Sequence, residues 1–346
     1  MALPFPSIFV IHHLQMRYKI RRNIMTAKEI QQLVEAEINK LNWKITPYSL
    51  YEPIEYVLSL GAKRIRPVFA LLACQLFDDP GKALNPALAV EVFHNFTLLH
   101  DDIMDKAEMR RNQPTVHIKW DENRAILSGD AMLIKAYQLL AQCDPAVLKS
   151  ILDVFSQTSV EVCEGQQFDM EFESRNDVSI DEYIHMIRLK TAVLLAGSLK
   201  IGAICGGASE KDADLLYQFG IGIGIAFQLK DDYLDVYGDP DKFGKNIGGD
   251  ICCNKKTFLL INALEKADPD TKAELLHWIN AKDFDRNEKI KAVTSIYDRL
   301  DIRLHTENAM RTYYEDAVQS LRKVSVPEEK KAELSVFAEN LLYREN

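Results

Sequence analysis

The chain has few of the residues that break helices and little of the alternation that builds sheets. Its 346 residues include only 15 glycines and 12 prolines. β-Branched residues alternating with polar ones between turn signals are nearly absent. Apolar residues instead recur at helical spacing over long segments. These segments include 27–41, 84–105, 125–140, 147–174, 181–203, 212–237 and 302–324. The pattern excludes a sheet protein and predicts an all-α fold.

Other absences narrow the function. None of the six cysteines forms a C-x-x-C pair, so we expect no zinc site and reduced thiols in a cytoplasmic protein. The net charge of −9 provides no global basic field, which argues against nucleic acid as a partner. The N-terminal apolar stretch, residues 3–14, is too short to span a membrane.

Residues 1–25 differ from the remainder. Their apolar stretch precedes a basic patch, the reverse of the order in a secretory signal. Met25 is followed by Thr26 and a sequence that favours a helix. We therefore interpret residues 1–25 as an N-terminal extension, and translation from Met25 would leave out residues 1–24. No stretch resembles an interdomain linker, so residues 26–346 are predicted to form a single domain.

Two copies of the pattern D-D-x-x-D each follow a long apolar run. The first comprises Asp101, Asp102 and Asp105, and the second comprises Asp231, Asp232 and Asp235. Three carboxylates within about one helical turn repel one another and are costly to hold near an apolar wall. Mg²⁺ takes oxygen ligands and usually shares its site with a phosphate substrate. We therefore expect the two motifs to face each other across the core and to hold magnesium.

Basic residues flank both acidic motifs along the chain. Arginine grips phosphate through two parallel hydrogen bonds, and lysine supplies a compact charge. The arrangement suits two diphosphates held beside a metal cluster. The basic residues concerned are Lys63, Arg64, Arg66, Arg110, Arg111, Lys190, Lys245, Lys255 and Lys256.

With these motifs the chain resembles the trans-polyprenyl diphosphate synthases, which include farnesyl and geranylgeranyl diphosphate synthases. The resemblance runs from about Leu60 to the C-terminus. It implies an isoprenoid-synthase-type helical bundle around a central active-site cavity, and a homodimer. It is carried, besides the acidic motifs, by Gly61–Pro67 (G-x-K-R-x-R-P), Arg110-Arg111, Gly165-Gln166, Lys190-Thr191, Phe227-Gln228 and Gly244-Lys245.

The resemblance also implies a reaction and a role for each matching residue. The reaction is Mg²⁺-dependent head-to-tail condensation of isopentenyl diphosphate with an allylic diphosphate, with about three Mg²⁺ bridging the aspartates to the allylic diphosphate. The implied isopentenyl diphosphate site is Lys63, Arg66, His94 and Arg111. The implied allylic diphosphate site is Arg110, Lys190, Lys245 and Lys255. The groups implied to stabilise the carbocation belong to Lys190, Thr191 and Gln228.

Two positions depart from the family pattern. Ala62 stands where a second glycine is common, and Asn112 stands where a glycine usually follows the arginine pair. Both are predicted loop positions, so we expect them to alter local backbone shape more than chemistry.

Product length is predicted from the helix before the first motif. Residues four apart lie on one helical face, so Thr97, His94 and Val90 continue the stripe of Asp101 and are expected to line a cavity below the metal site. The resemblance implies that Phe96 and Thr97 help to stop chain growth. The aromatic Phe96 favours a C15–C20 product, whereas the small Thr97 leaves a longer product as an alternative.

Three other functions were weighed against this one. Glu-x-x-His spacings at residues 91, 182 and 274 are typical of di-iron bundles, but leave the arginine pair and both aspartate motifs unexplained. A class I terpene cyclase would resemble this chain, although its second metal motif uses Asn, Ser or Thr with Glu. A non-catalytic subunit is expected to have lost some of these aspartates or arginines.

Overall fold

The computed structural model describes residues 24–239 and 247–343, and within them the fold is all-α, as predicted. The helices of the first half are Ala27–Ile38 (α1), Tyr48–Ser59 (α2), Ile65–Gln75 (α3), Leu84–Met104 (α4), Val116–Lys119 (α5), Glu122–Leu140 (α6) and Pro145–Glu173 (α7). A 3₁₀ turn, Pro80–Ala83, precedes α4. The described strands are Met109–Arg110 (β1) and Gln113–Pro114 (β2), paired antiparallel.

The second half continues in the same style. Its helices are Ile180–Ile187 (α8), Val193–Cys205 (α9), Glu210–Tyr237 (α10), Gly249–Cys253 (α11), Phe258–Lys266 (α12), Pro269–Asn280 (α13), Arg286–Arg299 (α14), Ile302–Arg322 (α15) and Glu328–Tyr343 (α16). A π-helical turn, Arg188–Ala192, joins α8 to α9. No helix among the described residues is both long and apolar enough to cross a membrane.

Helix starts follow local capping chemistry. Thr26 and Glu29 form a capping box at the start of α1, which satisfies backbone N–H groups that have no partner inside the helix. Ser179 and Glu182 form the same box at α8. The side chain of Asp144 accepts a hydrogen bond from the Ala146 amide at the start of α7. Apart from Ile24 and Met25, the predicted N-terminal extension lies outside the described residues.

The core is built around helices that are apolar on most faces. Nearly every residue of α9 is buried, and so are most residues of α4 before its acidic end. Gly202 lets α9 approach α3 closely, since a Cβ there would lie 1.9 Å from the Ala70 carbonyl oxygen. A smaller apolar cluster joins the end of α10 to α12, α13 and α14. This packing fixes the positions of the C-terminal ends of α4 and α10, which carry the acidic motifs.

Candidate active site

The first acidic motif forms the C-terminal end of α4. Asp101 and Asp102 lie in the last turn, and Asp105 is the C-cap residue. The negative end of a helix dipole is unfavourable for carboxylates, so this placement needs nearby cations. Arg110 supplies one, since its Nε donates to Asp102 Oδ1 at 2.7 Å and its Nη2 lies 3.7 Å from Asp101 Oδ2. Burial raises the pKa of Asp102, and the Arg110 charge opposes that rise.

The second motif occupies the last two turns of α10. Asp232 is only 3% exposed and accepts hydrogen bonds from the Tyr183 hydroxyl, from Gln228 Nε2 at 3.2 Å and from the Phe258 amide at 3.3 Å. Burial, together with the negative charge of Asp250, raises the pKa of Asp232 to about 7 despite these donors. The Asp232 carboxyl therefore holds a proton at a pH where ordinary aspartates have lost theirs.

Two lysines lie between the acidic motifs. Lys190 Nζ is 3.2 Å from Asp101 Oδ1 and 2.5 Å from Asp169 Oδ2. Desolvation lowers the pKa of Lys255, but the carboxylates around it outweigh this effect and raise the pKa. Those carboxylates are Asp169, Asp250, Asp232 and Asp105. The charges of both motifs thus converge on one region at the end of the bundle.

Lys190 and Thr191 lie in the π-helical turn, within the segment 181–203 that is predicted to be helical. The segment is helical throughout, as predicted, but its hydrogen-bonding pattern changes at this turn. π-Helical turns are frequent at functional sites because they redirect side chains and backbone groups. Gly165 of α7 permits the turn, since a Cβ there would lie 2.2 Å from the Lys190 backbone nitrogen. The Thr191 hydroxyl donates to Gln228 Oε1 at 3.0 Å, and Gln228 in turn donates to Asp232.

A second group of cations lies on the other side of α4. Arg66 Nη1 is 3.0 Å from His94 Nε2. Arginine can only donate, so this nitrogen of His94 accepts and the ring proton is on Nδ1. Burial and the neighbouring Arg66 and Arg111 charges lower the pKa of His94 well below its usual value, which keeps the ring neutral.

Among the described residues, Arg66 of this second group forms no ion pair with a carboxylate. Arg66 Nε is buried and has no hydrogen-bond partner among residues 24–239 and 247–343. Burial, with a contribution from the Arg111 charge, lowers the pKa of Arg66 to about 10. Arg111 Nη1 donates to the Leu60 carbonyl at 3.1 Å, and Lys63 is exposed nearby in sequence. An orphaned buried donor among cations is what an anion-binding site requires.

Asn112 has φ of 59° and Arg111 has φ of 53°, so the turn between β1 and β2 is left-handed. Asparagine tolerates this region better than most residues, which explains how it replaces a glycine here. The substitution therefore preserves the turn that carries Arg110 and Arg111. Gly61 and Ala62 precede α3, and a Cβ on Gly61 would contact nothing within 4 Å.

The predicted product-length residues lie one turn before the first motif. Phe96 packs edge-on against His100, with ring centroids 4.8 Å apart, and also contacts Phe93. The Thr97 hydroxyl donates to the His94 carbonyl at 2.8 Å. The methyl group of Thr97 is therefore the part of this side chain that can contact a ligand. Val90 is fully buried in the main core. At the level of Val90, the face of α4 that was expected to line a cavity therefore packs against other parts of the core.

Lys245 lies outside the described residues. Asp169, Tyr183 and Asp250 were missed by sequence reasoning, although each touches or faces a motif residue. Asp169 could have been noticed as a carboxylate one helical turn after Gly165-Gln166, whereas Tyr183 and Asp250 belong to no pattern.

The residues of the di-iron alternative have other partners. Glu91 accepts from Arg64 at 2.8 Å and from Asn95 at 3.0 Å, and Glu182 is held by Ser179 and Arg175. Within residues 24–239 and 247–343, no three His, Cys, Asp or Glu side chains form a ready-made ion cage. The aspartate oxygens remain hard ligands that suit a cation shared with a phosphate.

Comparison with known proteins agrees with this geometry. The polyprenyl synthetase family model matches residues 47–297. A short chain isoprenyl diphosphate synthase of Methanothermobacter thermautotrophicus is 37% identical over 324 residues, which is 92% of this chain and 98% of that protein. A crystal structure of geranylgeranyl pyrophosphate synthase has a TM-score of 0.89 and 43% identity, covering 93% of this chain and all of the other.

A second similar structure contains a metal. It is a geranylgeranyl pyrophosphate synthase from Corynebacterium glutamicum complexed with isoprenyl diphosphate and magnesium. It has a TM-score of 0.78 and 28% identity, covering 92% of this chain and 97% of the other.

The helical bundle with its paired aspartate motifs thus defines a prenyltransferase, and the chain belongs to the polyprenyl synthetase family. The predicted family, all-α fold and enzyme class are confirmed, and short-chain prenyltransferase activity agrees with the similar proteins. The roles of individual site residues remain predictions.

Replacing Gly165 by alanine is expected to reduce kcat/KM by about a hundredfold, because displacing a catalytic turn by about 1 Å has an effect of that size. The added Cβ meets the Lys190 backbone. Gly197→Ala is the matched control, since its Cβ meets Thr158 at 2.7 Å away from the site. Equal losses of kcat/KM in both variants, measured by steady-state kinetics, would refute a special role for the turn.

The metal-free protein should lose stability between about pH 4 and 7 because of Asp232. Its pKa is about 7 when folded, against 3.8 for an ordinary aspartate. The proton is therefore held longer in the folded chain, so the stabilisation is complete below pH ~4 and lost as the pH rises to about 7. Denaturant unfolding in EDTA should show a smaller decline for Asp232→Asn. The exposed Asp283→Asn should follow the wild type, and identical slopes for all three proteins would contradict the assignment.

Proposed function

We propose that this prenyltransferase condenses isopentenyl diphosphate head to tail with an allylic diphosphate, giving a C15–C20 prenyl diphosphate. The observation that carries the proposal is the division of charge at the end of the bundle. Two carboxylate motifs converge around Lys190 and Lys255, while a separate group of cations surrounds Arg66. One region suits a metal-bound diphosphate, and the other suits a diphosphate bound by cations alone.

The proposed metal is Mg²⁺, about three ions per site by family resemblance. The residues that would hold it are Asp101, Asp102, Asp105, Asp231, Asp232 and Asp235. The donor set fits, because it consists of carboxylate oxygens in excess of the cations that now contact them. When bound, Mg²⁺ supplies Lewis acidity that stabilises charge on a leaving diphosphate. The related magnesium complex from Corynebacterium glutamicum supports the assignment.

The allylic diphosphate is assigned to Arg110, Lys190, Lys245 and Lys255. Arg110 and Lys190 pair with Asp101, Asp102 and Asp169. These charge-assisted contacts can be exchanged for contacts to phosphate oxygens, since the same donors serve both. The residues then orient the leaving group and stabilise its developing charge.

The isopentenyl diphosphate is assigned to Lys63, Arg66, His94 and Arg111. The unpartnered Nε of Arg66 gives the phosphate a donor that no protein group occupies. The neutral His94 has its proton on Nδ1, so it can donate one hydrogen bond without adding charge. Arg111 is anchored by the Leu60 carbonyl, which limits its freedom before the substrate arrives.

Ionisation of the allylic C–O bond leaves a carbocation that needs oxygen atoms around it. The Lys190 carbonyl, the Thr191 hydroxyl and the Gln228 amide are assigned this role. Because Thr191 donates its proton to Gln228, the lone pairs of its oxygen remain available for the cation. The double bond of isopentenyl diphosphate attacks, and the released diphosphate takes up the proton that leaves.

We also propose a homodimer. Helix α6 carries Ile126, Leu127 and Ile134, which are 43–58% exposed. Clustered apolar side chains of this size on a helix surface are a common mark of a protein interface. The second copy of the chain is the occupant that the family resemblance suggests.

The proposed setting is the cytoplasm. All six cysteines are free thiols, and Cys74, Cys143 and Cys205 are buried. Free buried thiols are typical of reducing compartments.

Incubating the protein with isopentenyl diphosphate and each allylic diphosphate, with and without Mg²⁺, tests the reaction directly. Metal-dependent elongation detected by mass spectrometry is the expected result. A cyclic hydrocarbon from an allylic diphosphate alone would instead identify a terpene cyclase, and elongation beyond C20 would identify a longer-chain synthase.

Asp101→Ala and Asp231→Ala should each lower kcat by about a hundredfold or more, because each removes a group that stabilises transition-state charge. Far-UV circular dichroism should show that both variants remain folded. Asp283→Asn, at an exposed loop position, is the matched control for loss of one carboxylate. Retained Mg²⁺-dependent turnover in both motif variants would contradict the metal assignment.

Thr97→Phe should shorten the longest product by at least one five-carbon unit, because one helical turn of about 5.4 Å matches roughly one isoprene unit. The measurement is the product distribution by mass spectrometry at limiting enzyme. Phe96→Ala provides the opposite change and should lengthen the product. If neither variant alters the distribution, these two residues do not line the growing chain.

A further inference from the structure

Arg64 lies between Lys63 and Arg66, two of the three cations assigned to isopentenyl diphosphate, yet its own side chain points away from solvent. Its side chain is 0% exposed, the extreme of burial for an arginine. An arginine is almost never fully buried unless it is paired and hydrogen-bonded. Neither the family resemblance nor the proposed function gives this residue a task.

The guanidinium of Arg64 contacts three separate parts of the fold. Its Nε lies 2.8 Å from Glu35 Oε2 on α1, and its Nη1 lies 2.8 Å from Glu91 Oε1 on α4. Its Nη2 donates to the Leu58 carbonyl at 2.5 Å, near the end of α2, and also to Glu35 at 3.3 Å. The side chain therefore ties the segment before α3 to the three helices around it.

The tied segment carries the proposed substrate cations. Arg64 has φ of 49°, a left-handed conformation that is unfavourable for a residue with a Cβ and persists only where surrounding contacts hold it. Helix α3 begins at the next residue, Ile65. The backbone at Arg64 therefore sets the direction of Lys63 on one side and of Arg66 on the other.

One further contact braces the same segment, and another holds its partner Glu91. The Lys63 carbonyl accepts from Gln31 Nε2 of α1 at 3.2 Å, and Asn95 Nδ2 donates to Glu91 within α4 at 3.0 Å. Glu91 lies one turn before His94 on α4, and His94 contacts Arg66. Arg64 thus joins the segment that carries Lys63 to the turn of α4 that carries His94.

We infer that Arg64 is a positioning residue for isopentenyl diphosphate. It does not touch the substrate, but holds Lys63 and Arg66 in place through Glu35 and Glu91. The inference rests on the proposed function, because it presumes that Lys63 and Arg66 bind this substrate. Lysine could not replace Arg64, since three helices are reached only by the planar fork of a guanidinium.

Glu35→Gln is the first test, because Glu35 is 40% exposed and Arg64 keeps its buried partner Glu91. The KM for isopentenyl diphosphate should rise about tenfold, which corresponds to about 1.4 kcal/mol of binding free energy. The KM for the allylic diphosphate and kcat should stay within about twofold, since the metal-bound region is not altered. Glu35→Asp should restore part of the affinity.

Glu37→Gln is the matched control. Glu37 lies two residues further along α1 and pairs with Lys40 on the surface at 2.6 Å. An exposed pair of this kind contributes little to stability. Its removal should leave both KM values unchanged.

A double variant separates positioning from stability. Arg64→Met alone leaves Glu91 buried without its cation, which is expected to destabilise the fold strongly. Arg64→Met combined with Glu91→Leu replaces the buried pair by apolar groups, a change that is often neutral for stability. The double variant should melt near the wild-type temperature and still show the raised KM for isopentenyl diphosphate.

The outcomes are distinct. Unchanged KM values in Glu35→Gln and in the stable double variant would overturn the inference and leave Arg64 a purely structural residue. An equal rise in both substrates' KM values would also overturn it, because it would indicate general loosening of the site. Failure of the wild-type protein to elongate any allylic diphosphate would instead refute the proposed function.

Discussion

Carboxylate repulsion at one end of the helical bundle is the constraint on which the active site depends. Asp101, Asp102 and Asp105 stand at the negative end of the α4 dipole, and the second motif stands at the end of α10. Neither position is favourable for negative charge. The buried apolar lengths of both helices hold the motifs there, and Arg110 and Lys190 partly neutralise them. The remaining negative charge suits divalent cations, which is why the proposed metal site lies here.

Cations in this protein fall into two groups with opposite surroundings. Lys190 and Lys255 are enclosed by carboxylates, so they take part in a dense network of mixed charge. Arg66 and Arg111 lie beside the neutral His94 and other cations, and burial lowers their pKa values. In the proposed function, the second group binds a diphosphate without metal, and the first group binds a metal-bound diphosphate. The proposed difference separates the leaving group of the electrophile from the diphosphate of the nucleophile, which stays intact.

The sequence was sufficient to predict the all-α class and the two aspartate motifs, because helical periodicity and repeated charge are local signals. It did not reveal the π-helical turn at Lys190, since that turn depends on the absence of a side chain at Gly165 of another helix. Tyr183 and Asp250 escaped notice for a similar reason. Both reach Asp232 or its neighbours only after α8 and α11 have packed against α10. Long-range pairing of this kind leaves no periodic trace.

Arg64 illustrates how a motif can combine two tasks in adjacent residues. In a basic run, sequence patterns give every cation the same interpretation, a solvated or ligand-binding charge. The left-handed backbone at Arg64 separates them, since it directs one side chain inward while Lys63 stays exposed. The buried guanidinium satisfies Glu35 and Glu91, and α1 thereby becomes part of the support for the site. The first helix, which carries no matching motif of its own, consequently braces the segment that carries Lys63 and Arg66.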